Sequence, residues 1–140
     1  MSQLSKLHED HAILAKLFSQ LGSVVESSEP PSQLVLFDLR RELVSTLLAH
    51  LKLEDWTLYP RLIESDNEAI SDAGRKFQQE MGGLAPAFVA YCDKWSASRI
   101  ESDWAGYCAD TREILDALEN RLLRENRELL PLLERLDEAA

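Results

Sequence analysis

Cysteine is scarce in this sequence, and no long uncharged hydrophobic run is present. Cys92 and Cys108 are the only cysteines in 140 residues and form no Cys-x-x-Cys motif, so we expect two small buried apolar side chains rather than a disulfide framework. No stretch is apolar enough to span a bilayer, and the opening MSQLSKLHEDH lacks the apolar segment of a signal peptide. The sequence therefore predicts a soluble, cytoplasmic protein with no membrane partner.

Positive charge is also in short supply. The chain has 15 Lys and Arg residues and 25 Asp and Glu residues, which gives a formal net charge of -10. Such an acidic surface repels nucleic acid and anionic membranes, but it would attract a basic protein partner. Neither a glycine-rich phosphate loop nor a nucleophile-base motif is present, so we expect no enzymatic activity. The oligomeric state stays open between monomer and homodimer.

Apolar residues recur at intervals of three and four along four stretches of the chain. These runs cover residues 4–25, 36–62, 70–95 and 107–136, a spacing typical of amphipathic helices. The polar segments SSEPPS, ESDNE and SASRIESD separate them. Because short connections favour antiparallel neighbours, residues 1–140 are predicted to form one all-α domain, an antiparallel up-down-up-down four-helix bundle.

Three points within these runs are unfavourable for a regular helix. Pro60 and Pro131 lie inside the second and fourth runs, where each removes a backbone hydrogen bond, so a kink or an early helix end is expected at both. The segment EMGGLAP should bend or loosen the third helix. We also expect a proline of SSEPPS in the first turn of the second helix.

Three of the four apolar stripes are interrupted by polar residues that should reach the same level of the bundle. His11 lies on the first run, His50 and Glu54 on the second, and Arg121 and Glu125 on the fourth. Residues four apart share a helix face, so each of the last two pairs points in one direction. Buried carboxylates require a neutralising partner, which could be a metal ion, Arg121 or a protonated histidine. Alternatively, both glutamates lie at the bundle rim, where solvent and nearby charges stabilise them.

Two stretches of the sequence are related to each other, and together they resemble a known family. HLKLEDWTLYPRL and RLLRENRELLPLL align without a gap and share a glutamate and a proline at equal positions. With EDHAILAKL, they resemble the hemerythrin-like HHE cation-binding domains, four-helix bundles that hold a pair of non-haem irons. The resemblance implies that His11, His50, Glu54 and Glu125 are metal ligands.

The sequence departs from that family pattern at two positions. Arg121 stands where the family has a histidine on the fourth helix, and Met81 stands near the position of the third-helix histidine. The family implies that those two histidines hold the second iron, so a diiron centre is not expected. Two hypotheses follow: one iron or other divalent metal binds the retained residues, or no metal binds and Arg121 neutralises the two glutamates. His8, Glu80 and Met81 are further candidates near the site.

The function expected from this resemblance is a non-enzymatic sensing or regulatory module. A weaker similarity connects the chain to the Rsd/AlgQ family of acidic helical regulators, which bind the principal sigma factor of bacterial RNA polymerase. That similarity depends on LYPRL and ALENRLLRENRELLPLLE. It implies the alternative function, an acidic regulator that binds a basic protein.

Overall fold

The computed structural model describes residues 3–139, and within that range it is helical with no strand. Two π-helical turns interrupt the α-helices, the first at Glu54–Leu58 and the second at Glu125–Leu129. The α-helices are α1 Gln3–Val25, α2 Gln33–Leu53, α3 Tyr59–Ile63, α4 Glu68–Met81, α5 Leu84–Lys94, α6 Ala97–Ser102, α7 Trp104–Arg124 and α8 Leu130–Ala139.

Short polar side chains start several of these helices. Ser32 accepts a hydrogen bond from the backbone N–H of Val35, and Asn67 accepts from the first turn of α4. Pro31 precedes the cap Ser32, so the expectation of a proline in the first turn of the second helix was wrong. The helix begins after a serine cap instead of with a proline, because the serine hydroxyl satisfies an N–H group that would otherwise lack a partner.

The third predicted helix is two helices. The segment at Gly82 and Gly83 separates α4 from α5, as the glycines in EMGGLAP led us to expect. The following segment, expected to be a plain connection, contains the short helix α6 instead. Its formation is stabilised by the burial of Ile100, which is only 4% exposed.

Helical structure continues through both internal prolines, so of the two expected outcomes, a kink or an early helix end, the early end does not occur. Before each proline the bonding changes from α to π: the N–H of Tyr59 donates to the carbonyl of Glu54, and that of Leu130 donates to the carbonyl of Glu125. Proline has no N–H group, which disrupts the regular α-helical pattern of the preceding turn. Each π turn begins at a candidate ligand, Glu54 or Glu125.

The polar residues lie between two apolar clusters. Along α1, His11 stands between Leu14 of the larger cluster and Leu7 of the smaller one. Glu54 is similarly placed between Leu51 and Leu58. The larger cluster joins α1, α2, α5 and α7, and the smaller one joins the start of α1 to α3, α4 and α8. The site is therefore enclosed by packed side chains on both sides.

No helix within residues 3–139 is both long enough and apolar enough to cross a membrane.

Candidate metal centre

Four side chains that could bind a metal ion meet in the layer between the two clusters. His11, His50, Glu54 and Glu125 each offer one ligand atom, and these atoms all lie within 4.8 Å of one another. All four residues are buried, with exposed fractions of 3% or less. The rim placement of the glutamates, the alternative considered from the sequence, does not occur in this structure.

Four of the six distances between the ligand atoms match the spacing of neighbouring ligands around one ion. Nε2 of His50 lies 3.1 Å from Nε2 of His11 and 3.1 Å from Oε2 of Glu54. Nε2 of His11 lies 3.2 Å from Oε1 of Glu125 and 3.6 Å from Oε2 of Glu54. Ligand bonds of about 2.0–2.2 Å give neighbouring ligand atoms separations of about 2.8–3.6 Å across octahedral and tetrahedral geometry. These distances fall in that range.

Two further residues fix the orientation of the imidazole rings. Nδ1 of His11 lies 2.6 Å from Oδ1 of Asn126, and Nδ1 of His50 lies 3.2 Å from Oδ2 of Asp10. Both partners are acceptors, so each Nδ1 carries the donated hydrogen and a neutral ring then presents its Nε2 lone pair to the site. Asp10 is also paired with Lys6, whose Nζ lies 3.0 Å from Oδ1. This arrangement of outer carbonyl or carboxylate partners is typical of metal-binding histidines.

Arg121 lies on the side of the two glutamates that is opposite to His11 and His50. Its Nη2 donates to Oε1 of Glu54 at 2.9 Å, and its Nε donates to Oε2 of Glu125 at 3.2 Å. Nη1 donates to the backbone carbonyl of Met81 at 3.0 Å, and Nη2 also lies 3.5 Å from Oδ1 of Asp55. Arg121 is only 2% exposed, so its guanidinium donates hydrogen bonds to protein acceptors rather than to water.

Each glutamate consequently uses its two oxygens differently. Arg121 binds Oε1 of Glu54 and Oε2 of Glu125, whereas the other oxygen of each carboxylate faces the histidines. The hydroxyl of Tyr59 donates to Oε2 of Glu125 at 2.8 Å, the same oxygen that Arg121 binds. These contacts fix both carboxylates so that one oxygen of each remains directed to the candidate metal position.

The histidines have raised pKa values. Burial lowers the pKa of His11, but contacts with Glu125, Glu54 and Asn126 outweigh it and raise the pKa to about 10. Burial likewise lowers the pKa of His50, and the contact with Glu54 outweighs it, so this pKa is also raised. Without a metal ion, a proton on these rings is therefore favoured.

The two carboxylates have pKa values shifted in opposite directions. Burial acts to raise the pKa of Glu54, but its contacts with His11 and His50 hold it well below the usual value. Burial and the negative charge of Glu54 raise the pKa of Glu125 to about 7. Two carboxylates in one buried layer repel each other, so positive charge near them is strongly stabilising.

The residues present fit a divalent ion. Oε2 of Glu54 is fully buried and has no hydrogen-bond partner among the described residues, although the Nε2 atoms of both histidines are nearby. A buried carboxylate oxygen without a hydrogen bond is costly, and a cation bound between it and the neutral imidazoles would satisfy it, as a protonated imidazole does without metal. With both imidazoles neutral, the carboxylates in and next to the layer outnumber the cations by two, and either one divalent ion or a proton on each imidazole supplies that charge. These carboxylates are Asp10, Glu54, Asp55 and Glu125, and the cations are Lys6 and Arg121.

Comparison with known families agrees with this geometry. The model of the hemerythrin HHE cation-binding domain matches residues 2–133, nearly the whole chain. The chain belongs to the hemerythrin family. No curated protein and no solved structure gives a significant match. The resemblance drawn from the sequence motifs is thus confirmed at the level of the family.

The three further candidates, His8, Glu80 and Met81, are not part of the group of four candidate ligands. His8 is exposed on α1, and Glu80 is exposed and paired with Arg124. The side chain of Met81 is buried in the smaller apolar cluster, and only its backbone carbonyl reaches the centre, through Arg121. Met81 is thus a packing residue whose backbone supports the guanidinium.

Sequence reasoning missed Asp10, Asn126 and Tyr59. Asp10 directly precedes His11, and adjacent residues on a helix point about 100° apart, so helix periodicity does not predict that both lie at one site. Asp10 contacts the imidazole of His50 on the neighbouring helix, not that of the adjacent His11. The available signal was that Asp10 and Asn126 each adjoin a candidate ligand in the sequence.

Proposed function

We propose that this hemerythrin-family chain binds one divalent metal ion, iron or another, through His11, His50, Glu54 and Glu125. The supporting observation is the buried Oε2 of Glu54, which has no hydrogen-bond partner among the described residues and faces two imidazoles with anchored Nδ1 hydrogens. Two imidazoles and two carboxylates are a suitable ligand set for iron, zinc or manganese.

Arg121 limits the site to one ion. Its guanidinium binds the oxygen of each glutamate that a second metal would require, and it carries a permanent positive charge. The two hypotheses drawn from the sequence are therefore compatible: Arg121 neutralises one side of the carboxylates and the metal ion binds the other. A dinuclear centre would require displacement of this buried arginine.

The burial of the ligands supports a non-enzymatic role, in sensing or regulation. A bound ion would supply positive charge and, in the case of iron, a redox-active centre. His11 and Glu54, at 3% and 0% exposure, keep water away from it, while Asp10 and Asn126 hold the imidazoles in place. A shielded site with four protein ligands is typical of stable metal retention rather than turnover.

We also propose the antiparallel up-down-up-down order for the four long helical runs. Two contacts between α1 and α7 support it. His11, early in α1, lies beside Asn126 just after the end of α7, whereas Nη2 of Arg112, early in α7, donates to the carbonyl of Val25 at the end of α1. This order brings His11 to the level of Glu125, where the ligand group forms.

A cobalt titration tests the proposed function. Co²⁺ added to chelator-treated protein should saturate at one ion per chain and give visible absorption bands from bound cobalt. His50→Ala should abolish these bands, and His8→Ala, the matched control, should keep them. Bands that survive in His50→Ala would contradict the proposed ligand set.

A second candidate function is an acidic interaction module that binds a basic protein. The exposed apolar residues Trp56 and Leu123, at 76% and 56% exposure, favour it, as does the net charge of -10. A pull-down that returns one stoichiometric partner with wild-type protein and none with Trp56→Ala would support this role. The same partner recovered equally by both proteins would count against this surface.

A further inference from the structure

A cavity lies near the start of α2, away from the candidate metal centre at its other end. It has a volume of about 170 Å³ and is mostly apolar. Arg40, which lines it, precedes His50 by ten residues, or about 15 Å along a helix. The main lining residues are Pro30, Pro31, Leu36, Phe37, Arg40 and Ile100.

Arg40 is the cationic side chain of this cavity and is held in place. Its Nη2 donates to the backbone carbonyl of Trp95 at 2.8 Å, and its guanidinium carbon lies 5.7 Å from the centre of the Tyr107 ring. That hydrogen bond is the one contact to an acceptor that residues 3–139 show for this guanidinium, and no carboxylate oxygen lies within 4.0 Å of it in that range. A guanidinium has five N–H donors, so most of those of Arg40 have no acceptor among these residues.

We propose that this cavity binds a small apolar monocarboxylate, an aromatic or short aliphatic acid. The apolar part would contact Leu36, Phe37 and Ile100, and the carboxylate would pair with Arg40. Glu101, which also lines the cavity, accepts a hydrogen bond from the Gln33 side chain at 3.2 Å and is exposed. Its charge is therefore solvated and bonded to the Gln33 amide, and Arg40 is the one cationic residue of the lining. This site is independent of the metal centre.

Binding of phenylacetate and of its neutral analogue phenylacetamide tests the proposal. Titration followed by two-dimensional NMR should show shifts at Phe37 and Ile100, with phenylacetate bound about tenfold more tightly than the amide because of the charged pair. Arg40→Gln should remove that preference. Arg41→Gln is the matched control, because Arg41 is exposed and pairs with Asp38 instead.

Phe37→Ala provides a second arm that keeps Arg40 intact. Phe37 is 62% exposed, so its removal should leave the fold unchanged while weakening the binding of both compounds. Equal affinity for the acid and the amide, an unchanged preference in Arg40→Gln, or no shift at these residues up to about 10 mM ligand would overturn the proposal.

Discussion

Nη2 of Arg121 lies 2.9 Å from Oε1 of Glu54, while Oε2 of the same carboxylate lies 3.1 Å from Nε2 of His50. One buried carboxylate thus connects a permanent cation to the histidine side of the layer. Glu125 repeats this arrangement, with Arg121 on one oxygen and His11 near the other. The arginine therefore holds one oxygen of each glutamate and orients both carboxylates.

Removal of this arginine should strongly destabilise the metal-free protein. Arg121→Leu leaves Glu54 and Glu125 buried without their charge partner, which should lower the free energy of unfolding by about 3–5 kcal/mol. Urea denaturation in the presence of a chelator measures this loss. Added zinc should stabilise the variant more than the wild type, since the repelling charge is gone.

A matched control for this prediction is Arg124→Leu. Arg124 pairs with Glu80 and Glu128 at the surface, where water solvates the partners after the change. Its urea midpoint should stay close to that of wild type. Equal losses in the two variants would show that Arg121 has no special role in the buried layer.

Substitution of Asp10 should weaken metal binding without changing the number of ions bound. Asp10→Ala removes the acceptor for Nδ1 of His50, so the ring loses its fixed tautomer and orientation. The metal dissociation constant, measured by competition with a chromophoric chelator, should rise about tenfold or more. Glu9→Ala, an exposed neighbour with the same charge change, should have no such effect. If both variants bind equally well, the orienting role is wrong.

The metal-free protein should lose stability as pH rises above neutrality. The pKa of His11 is about 10 in the folded state against an ordinary value of 6.5, so the folded chain binds the extra proton. The resulting stabilisation is fully present below pH 6.5 and is lost as the pH rises towards 10, and the raised pKa of His50 acts in the same direction. Urea denaturation at several pH values with a chelator present measures this slope.

The same pH series with zinc present, and on His11→Gln, provides the comparison. A bound ion replaces the imidazole protons, so the protein should release protons as zinc binds. The stability of the zinc-saturated protein should then depend less on pH. His11→Gln should also reduce the slope. Wild-type stability that does not change from pH 6.5 to 10 without metal would contradict the protonated state assigned to His11.

The helical class of the fold could be predicted from the sequence, because stripes such as Leu4 to Val25 have only one periodicity that buries them together. The π turns could not. Pro60 and Pro131 indicated that regular bonding must fail, but whether a helix ends, bends or adds a residue to one turn depends on tertiary packing. Tyr59 and Leu130, buried beside those prolines, contribute to that packing.

The residues of the candidate centre could be anticipated because each interrupts an apolar stripe. His50 and Glu54 are conspicuous among leucines for that reason. Asp10 and Asn126 were missed because they contact the outer nitrogens of the imidazoles rather than the centre, and no stripe marks that position. The division of the glutamate oxygens between Arg121 and the histidines was likewise inaccessible, since it depends on side-chain rotamers.

The metal content of untagged protein tests the central claim most directly. Protein reconstituted with iron or zinc, freed of excess metal and analysed by elemental mass spectrometry, should contain one ion per chain, and His50→Ala should contain none. Two ions per chain would contradict the role of Arg121 as the occupant of the second position. No retained ion in the wild type would contradict the metal site itself.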